Sequence, residues 1–235
     1  MSKNKLKKFA ELETFERVFQ PEFDAIFEKD FYLKGKWVES VFLNTNPLVL
    51  ELGCGKGEYT VGMAQRFLEK NFLGVDIKGA RIWKGARAIN EQDIRNAAFL
   101  RTRIEFIASF FGKEEVDEIW ITFPDPQLKR RRNKKRLTGS VFLNKYRNFL
   151  KDGGLIHLKT DNDVLYEYTK ELAEYNGLEI VVATGDLYAT ETGNDILGIK
   201  THYENLFLRE GSNINYICFR LPSDRDISEP PYHEE

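Results

Sequence analysis

Pro47 opens the run Pro-Leu-Val-Leu-Glu51-Leu, which passes directly into Gly53-Cys-Gly55-Lys-Gly57-Glu58. An apolar stretch this short, without polar alternation, reads as a strand buried on both faces. Glycines at 53, 55 and 57 let the backbone turn tightly and come close to a ligand. A helical pattern then runs from Glu58 to about Lys70. A strand buried on both faces needs cover on both sides, which means a parallel sheet flanked by helices.

The rest of the chain supplies that sheet. Strands are predicted over 72–77, 97–100, 116–123, 155–160, 178–184 and 214–221. Helical patterns fall between them, at 80–90, near Glu105, at 140–150, 164–176 and 202–209. With the strand after Pro47, this alternation predicts an α/β, Rossmann-like fold with a doubly wound, mostly parallel seven-stranded sheet. Ligands of such sheets gather at the carboxyl ends of the strands. Before the sheet, Phe9, Leu12, Phe15 and Phe19 have helical spacing, and Pro21 ends that helix. The expected organisation is an N-terminal helical and aromatic extension over 1–46, one domain over 47–222, and an acidic mobile tail over 223–235.

A dinucleotide loop would continue Gly-x-Gly-x-x-Gly and bring a pyrophosphate to the helix N-terminus. Here the position three beyond Gly55 is Glu58, and a carboxylate there repels a pyrophosphate. The loop calls for a cofactor without phosphate. S-adenosylmethionine fits, because it carries a sulfonium and an ammonium group. Glu51 is placed to meet its amino-acid end. Asp76, nineteen residues past Gly57 at the end of the second strand, can accept both ribose hydroxyls.

The fourth strand ends in Phe123-Pro-Asp125-Pro. Two prolines stiffen the backbone on either side of Asp125, which suits a residue that must be placed accurately. The segment from Lys129 to Arg136 follows, with seven cations in eight positions. Such crowding is costly unless a polyanion neutralises it, and a nucleic-acid backbone does so with release of counterions. The formal net charge of −2 conceals this local run. The two cysteines, Cys54 and Cys218, make no disulfide framework, and with three scattered histidines they offer no metal spacing. No apolar stretch approaches a membrane span. A cytoplasmic protein is expected.

Together these motifs resemble the bacterial tRNA (guanine-N7)-methyltransferase family. The resemblance rests on Glu-x-Gly-x-Gly-x-Gly, on Phe-Pro-Asp-Pro with a lysine four residues after the Asp and a basic stretch, on Lys-Thr-Asp161, and on Thr201-His-Tyr-Glu204. It covers roughly residues 47–221. It implies a class I S-adenosylmethionine-dependent methyltransferase acting on guanosine 46 of the tRNA variable loop. Carried over by position, Glu51, Gly53, Gly55, Gly57, Asp76, Arg103 and Asp125 line the cofactor. Lys129, Asp161, Thr201, His202, Tyr203 and Glu204 meet the substrate, and Asp125 is the catalytic residue. Arg103 departs from the Asp or Asn usual in the family, and an arginine cannot accept from the adenine amino group. Backbone groups, stacking under the guanidinium, or Glu105 would then hold the adenine.

Guanine N7 has a free lone pair, so no proton must leave before attack, and alignment is the main task. Cys54 is expected to have no nucleophilic role. A small-molecule methyltransferase is the alternative reading, but it has no use for the basic run. An NAD-dependent oxidoreductase is disfavoured by Glu58. A non-catalytic RNA-binding relative is disfavoured by the intact acidic set.

Overall fold

The computed structural model describes residues 3–190 and 195–231. The strands are β1 (Val18–Phe19), β2 (Leu48–Leu52), β3 (Asn71–Asp76), β4 (Ala97–Arg101), β5 (Val116–Thr122), β6 (Leu150–Thr160), β7 (Ile180–Thr184) and β8 (Asn215–Leu221). They form one sheet in the order β1-β4-β3-β2-β5-β6-β8-β7. Every pairing is parallel except those of β8, which runs antiparallel to both β6 and β7. The helices are α1 (Lys3–Leu12), α2 (Glu58–Arg66), α3 (Gly79–Glu91), α4 (Ser140–Tyr146), α5 (Asp163–Tyr175) and α6 (His202–Arg209).

Burial explains the central strands. All five residues of β2 and all six of β3 are buried, as an uninterrupted apolar run between two helical layers requires. Leu50, Leu52, Ile119, Ile121, Ile156 and Leu158 face one layer, with Trp37, Phe110 and Phe149. Val49, Trp120, Tyr216 and Cys218 face the other, against Tyr59 and Met63 of α2 and Ile82 of α3. On this second face the Trp120 and His157 rings stack 3.9 Å apart. Burial lowers the His157 pKa to about 3, so its ring is neutral, with Nδ1 bonded to the Tyr216 hydroxyl at 2.9 Å.

The seven expected strands are present, and an eighth comes from the N-terminal segment. Val18 and Phe19, read from their spacing as the end of a helix, instead pair with Phe99 and Leu100 at the sheet edge. Phe19 sets its ring edge-on to Trp37 at 5.0 Å, and a hydrophobic contact across an edge strand outweighs local periodicity. The helix itself starts earlier, at Lys3, and stops at Leu12. Ile26, Phe31, Leu33, Trp37 and Phe42 of the same segment belong to the main core. The turn near Glu105 is 3-10 rather than α-helical, over Ile104–Ser109. The helix expected over 140–150 ends at Tyr146, and Gly153-Gly154 lie within β6.

The acidic C-terminal segment is not a free tail through residue 231. Ile227 is buried. Asn144 bonds its backbone on both sides, at 2.7 and 2.9 Å. Glu229 accepts from the Ser140 N–H at 2.9 Å, where a carboxylate complements the exposed amides and dipole at the start of α4. The last four residues lie outside the described residues.

Candidate active site

Three side chains stand at the carboxyl ends of β2, β5 and β6, on the face that α2 covers: Glu51, Thr122 and Lys159. Side-chain alternation and the pairings Glu51–Trp120 and Trp120–His157 put them there. Glu51 is buried. Its Oε2 accepts from the Thr60 N–H at 2.8 Å and from the Thr60 hydroxyl, and its Oε1 accepts from the Thr122 hydroxyl at 2.8 Å. One carboxylate thus joins the start of α2 to the ends of two strands. Burial raises its pKa to about 7, against the opposing pull of these hydrogen bonds.

The loop between β2 and α2 holds Gly53, Gly55 and Gly57 at φ of +79°, +54° and +71°, a region that residues with a Cβ rarely adopt. At Gly57 a Cβ would lie 2.6 Å from the Phe99 ring, so this position needs glycine for space as well as conformation. Asp76 grips the loop from below. Its Oδ2 accepts from the Gly55 N–H at 2.9 Å and its Oδ1 from the Lys78 N–H at 2.7 Å. Glu58, at the first position of α2, pairs with Lys84 at 2.7 Å. The Gly55 N–H that a phosphate would want is already donated to Asp76, and Glu51 adds a second carboxyl group at the loop. This donor set fits a cationic, phosphate-free cofactor. Burial pushes the Cys54 thiol well above its ordinary pKa, which leaves it un-ionised.

A cleft of about 470 Å³ opens beside this loop. Gly53, Asp76, Arg103, Glu105, Asp125 and Lys135 are among its walls. Asp125 is exposed and accepts from the Gln127 N–H at 3.0 Å, closing a turn on itself. The loop that carries it is strained at two non-glycine residues, Phe123 at φ 49° and Gln127 at φ 50°. It is held by the Phe123 N–H on the Lys159 carbonyl at 2.8 Å and by Arg136 Nε on the Pro126 carbonyl at 3.2 Å. Arg103 donates to Glu105 at 3.3 Å across the cleft wall.

The substrate-side residues fall into separate places. Lys129 is exposed at the start of the 3-10 turn Arg130–Lys135. Arg136, expected to join the outward basic run, is buried with its guanidinium 4.1 Å above the Tyr168 ring. Asp161 is half-buried one residue past β6, and burial raises its pKa. It stands at the same sheet end as Asp125 but is not among the walls of the larger cleft. Thr201 lines a smaller pocket of about 90 Å³ with Glu51, Gly53 and Gly55. Thr201 and Glu204 form a capping box at the start of α6, and Glu204 is fully buried against Lys159. His202 and Tyr203 belong to α6, and their side chains lie outside the described residues. The sequence reading missed Thr60, Thr122 and Lys159. A threonine inside a strand or helix carries no local mark of the acceptor it will meet.

Among the described residues no cluster of histidine, cysteine and carboxylates could hold a metal, and no helix is long and apolar enough to cross a membrane. A family model described as "Putative methyltransferase" matches residues 45–217. In solved structures, the fold is similar to the 16S rRNA methyltransferase KamB, with a TM-score of 0.59 at 14% identity over 78% of this chain and 92% of that one. It is also similar to the 16S rRNA (adenine(1408)-N(1))-methyltransferase of Catenulisporales acidiphilia, with a TM-score of 0.56 at 13% identity over 81% and 94%. These two establish the fold alone. Sequence relatives lie much nearer. The tRNA (guanine-N(7)-)-methyltransferase of Bacteroides fragilis is 50% identical over 98% of this chain and 90% of its own. That of Christiangramia forsetii is 51% identical over 94% and 99%. That of Porphyromonas gingivalis is 52% identical over 93% and 91%. With identity of this order spread over nearly its full length, and a methyltransferase family model matched over residues 45–217, the chain belongs to the tRNA (guanine-N(7)-)-methyltransferase family.

Proposed function

We propose that the protein transfers the methyl group of S-adenosylmethionine to N7 of guanosine 46 in the tRNA variable loop. The observation that carries this reading is the Thr122–Glu51–Thr60 link. It ties the Asp125 loop to the glycine loop, so that Asp125 and Asp76 wall one cleft. When bound, S-adenosylmethionine supplies a sulfonium methyl open to nucleophilic displacement.

Glu51 and Asp76 are the residues for its amino-acid end and its ribose, with Gly53, Gly55 and Gly57 giving the backbone close approach. Arg103 holds Glu105 at the cleft wall, which makes Glu105 a ready acceptor for the adenine amino group. Asp125 stabilises the positive charge that grows on the guanine ring as N7 bonds to carbon, a preorganised electrostatic role. Asp161 accepts from the N1–H and exocyclic amine edge. The exposed cations Lys129, Arg131, Arg132, Lys134 and Lys135 meet phosphates while the base leaves its stack to enter the cleft.

The test uses unmodified tRNA and cofactor labelled in its methyl group, followed by digestion to nucleosides. Label is expected only in 7-methylguanosine, and tRNA carrying adenosine at position 46 should take none. Label in another nucleoside, or undiminished label in that variant tRNA, would defeat the assignment.

A pH effect follows from Glu51. With its pKa near 7 in the free protein, the carboxyl is largely protonated in mildly acidic solution. A cation bound beside it favours the ionised form and lowers that pKa. Cofactor binding should therefore release a proton below about pH 7, and affinity should strengthen by up to about tenfold per pH unit as pH rises toward 7, then level off. Calorimetry in two buffers of different protonation enthalpy measures the release. The slope should vanish in Glu51→Gln, and a pH-independent affinity in the natural protein would refute the cation contact.

A further inference from the structure

Lys159 is fully buried, yet it lies in β6 at the edge of the site. Its Nζ is 2.8 Å from Glu204 Oε1, and both side chains are 0% exposed. The same Nζ also donates to the Leu197 carbonyl at 3.3 Å and the Ile199 carbonyl at 3.4 Å, and it lies 5.1 Å from the centre of the Tyr59 ring. Glu204 in turn accepts from the Tyr188 hydroxyl at 2.5 Å and from the Thr201 N–H at 3.3 Å.

One ammonium and one carboxylate therefore fasten the segment 197–204 at four points of its backbone or side chains. That segment reaches the cofactor loop. Thr201 walls the small pocket with Glu51 and Gly53, and Ile199 packs where Gly62 of α2 leaves room. A Cβ on Gly62 would come within 2.9 Å of Ile199 Cγ2. A buried ion pair is a poor source of net stability, since desolvation of both charges offsets their attraction. Its value here lies in the geometry it imposes. Glu204 has no exposed surface, and its carboxylate is held by Lys159, the Tyr188 hydroxyl and the Thr201 N–H.

We propose that Lys159 and Glu204 form a buried latch that positions segment 197–201 beside the cofactor loop, so that both act as positioning residues for Thr201, the expected substrate contact. The proposal rests on the methyl-transfer reading above. It assigns Lys159 and Tyr188 roles in that site and moves Glu204 from substrate contact to support.

Removing one partner alone leaves an unpaired buried charge and endangers folding. The decisive variant is therefore the double substitution Lys159→Met with Glu204→Met, which replaces the pair with apolar groups of similar volume. It is expected to melt close to the natural protein and to bind S-adenosylhomocysteine within about twofold of it. Its KM for tRNA should rise about tenfold, and backbone amides of residues 197–205 should exchange faster. A merely structural pair would lower the active fraction, and so kcat, at unchanged KM.

Tyr188→Phe removes one donor to Glu204 from a partly exposed residue and should raise KM about threefold. It decides the matter if the double variant does not fold. Unchanged KM in the folded variant, or cofactor affinity lost in step with tRNA affinity, overturns the latch. Methylation of tRNA by the natural protein is measured first. Its failure would count against the methyl-transfer reading, while amide exchange of the free protein still tests the latch.

Discussion

Replacing Asp125 with alanine is expected to lower kcat by about 10²–10³-fold, the effect of losing one preorganised group at a developing charge. Affinity for S-adenosylhomocysteine should stay within about twofold, because the residues gripping the cofactor loop, Glu51 and Asp76, are untouched. The side chain is exposed and, among the described residues, its one hydrogen bond is to the Gln127 N–H at 3.0 Å, so the fold has little to lose. Asp125→Asn separates charge from shape. An asparagine carbonyl can still accept from the Gln127 N–H and keep the strained turn, but it carries no charge. If Asp125 acts through charge, the asparagine variant falls nearly as far as alanine. If the turn is what matters, it retains most of the natural rate. A cofactor affinity that collapses together with kcat would place Asp125 in cofactor binding and remove the electrostatic role.

The sheet and its ligand-binding end were legible because the signals are local and strong. The run after Pro47, the glycines and Asp76 sit within thirty residues of one another and obey one βα unit. The parts that were not legible depend on contacts across the sheet. Phe19 continues the helical spacing of Phe9, Leu12 and Phe15, yet Val18 and Phe19 become a strand because β4 offers an open edge and Trp37 a surface. The acidic end of the chain reads as a solvated tail by composition, yet Ile227 and Glu229 find α4. Within the site, Lys159 is one cation among many in the sequence. Only the antiparallel return of β8 and the packing of 197–204 against α2 explain its burial. Glu204 was legible as a site residue and illegible as a buried partner, since a capping box and a ligand contact use the same residue types.

The basic run divides in the same way. By sequence the seven cations from Lys129 to Arg136 form one polyanion-binding stretch. In space, Arg131, Arg132 and Lys134 are exposed, whereas Arg136 is buried with its guanidinium over the Tyr168 ring and holds the Pro126 carbonyl. Each phosphate that the protein no longer neutralises should reduce the slope of log K for tRNA against log salt by about 0.7–0.9. Changing Arg131, Arg132 and Lys134 together to glutamine should therefore flatten that slope by roughly 2–3. Affinity at low salt should fall at least about tenfold, with kcat at saturating tRNA retained. Arg136→Gln should do the opposite. It leaves the salt slope unchanged and lowers kcat, because the Asp125 loop loses one of its anchors. Binding titrations across a salt series, paired with steady-state rates, separate the two effects. A triple variant with the natural slope would deny the outward cations any role at the phosphates. An Arg136 variant that flattens the slope would mean that its guanidinium leaves Tyr168 to meet the RNA.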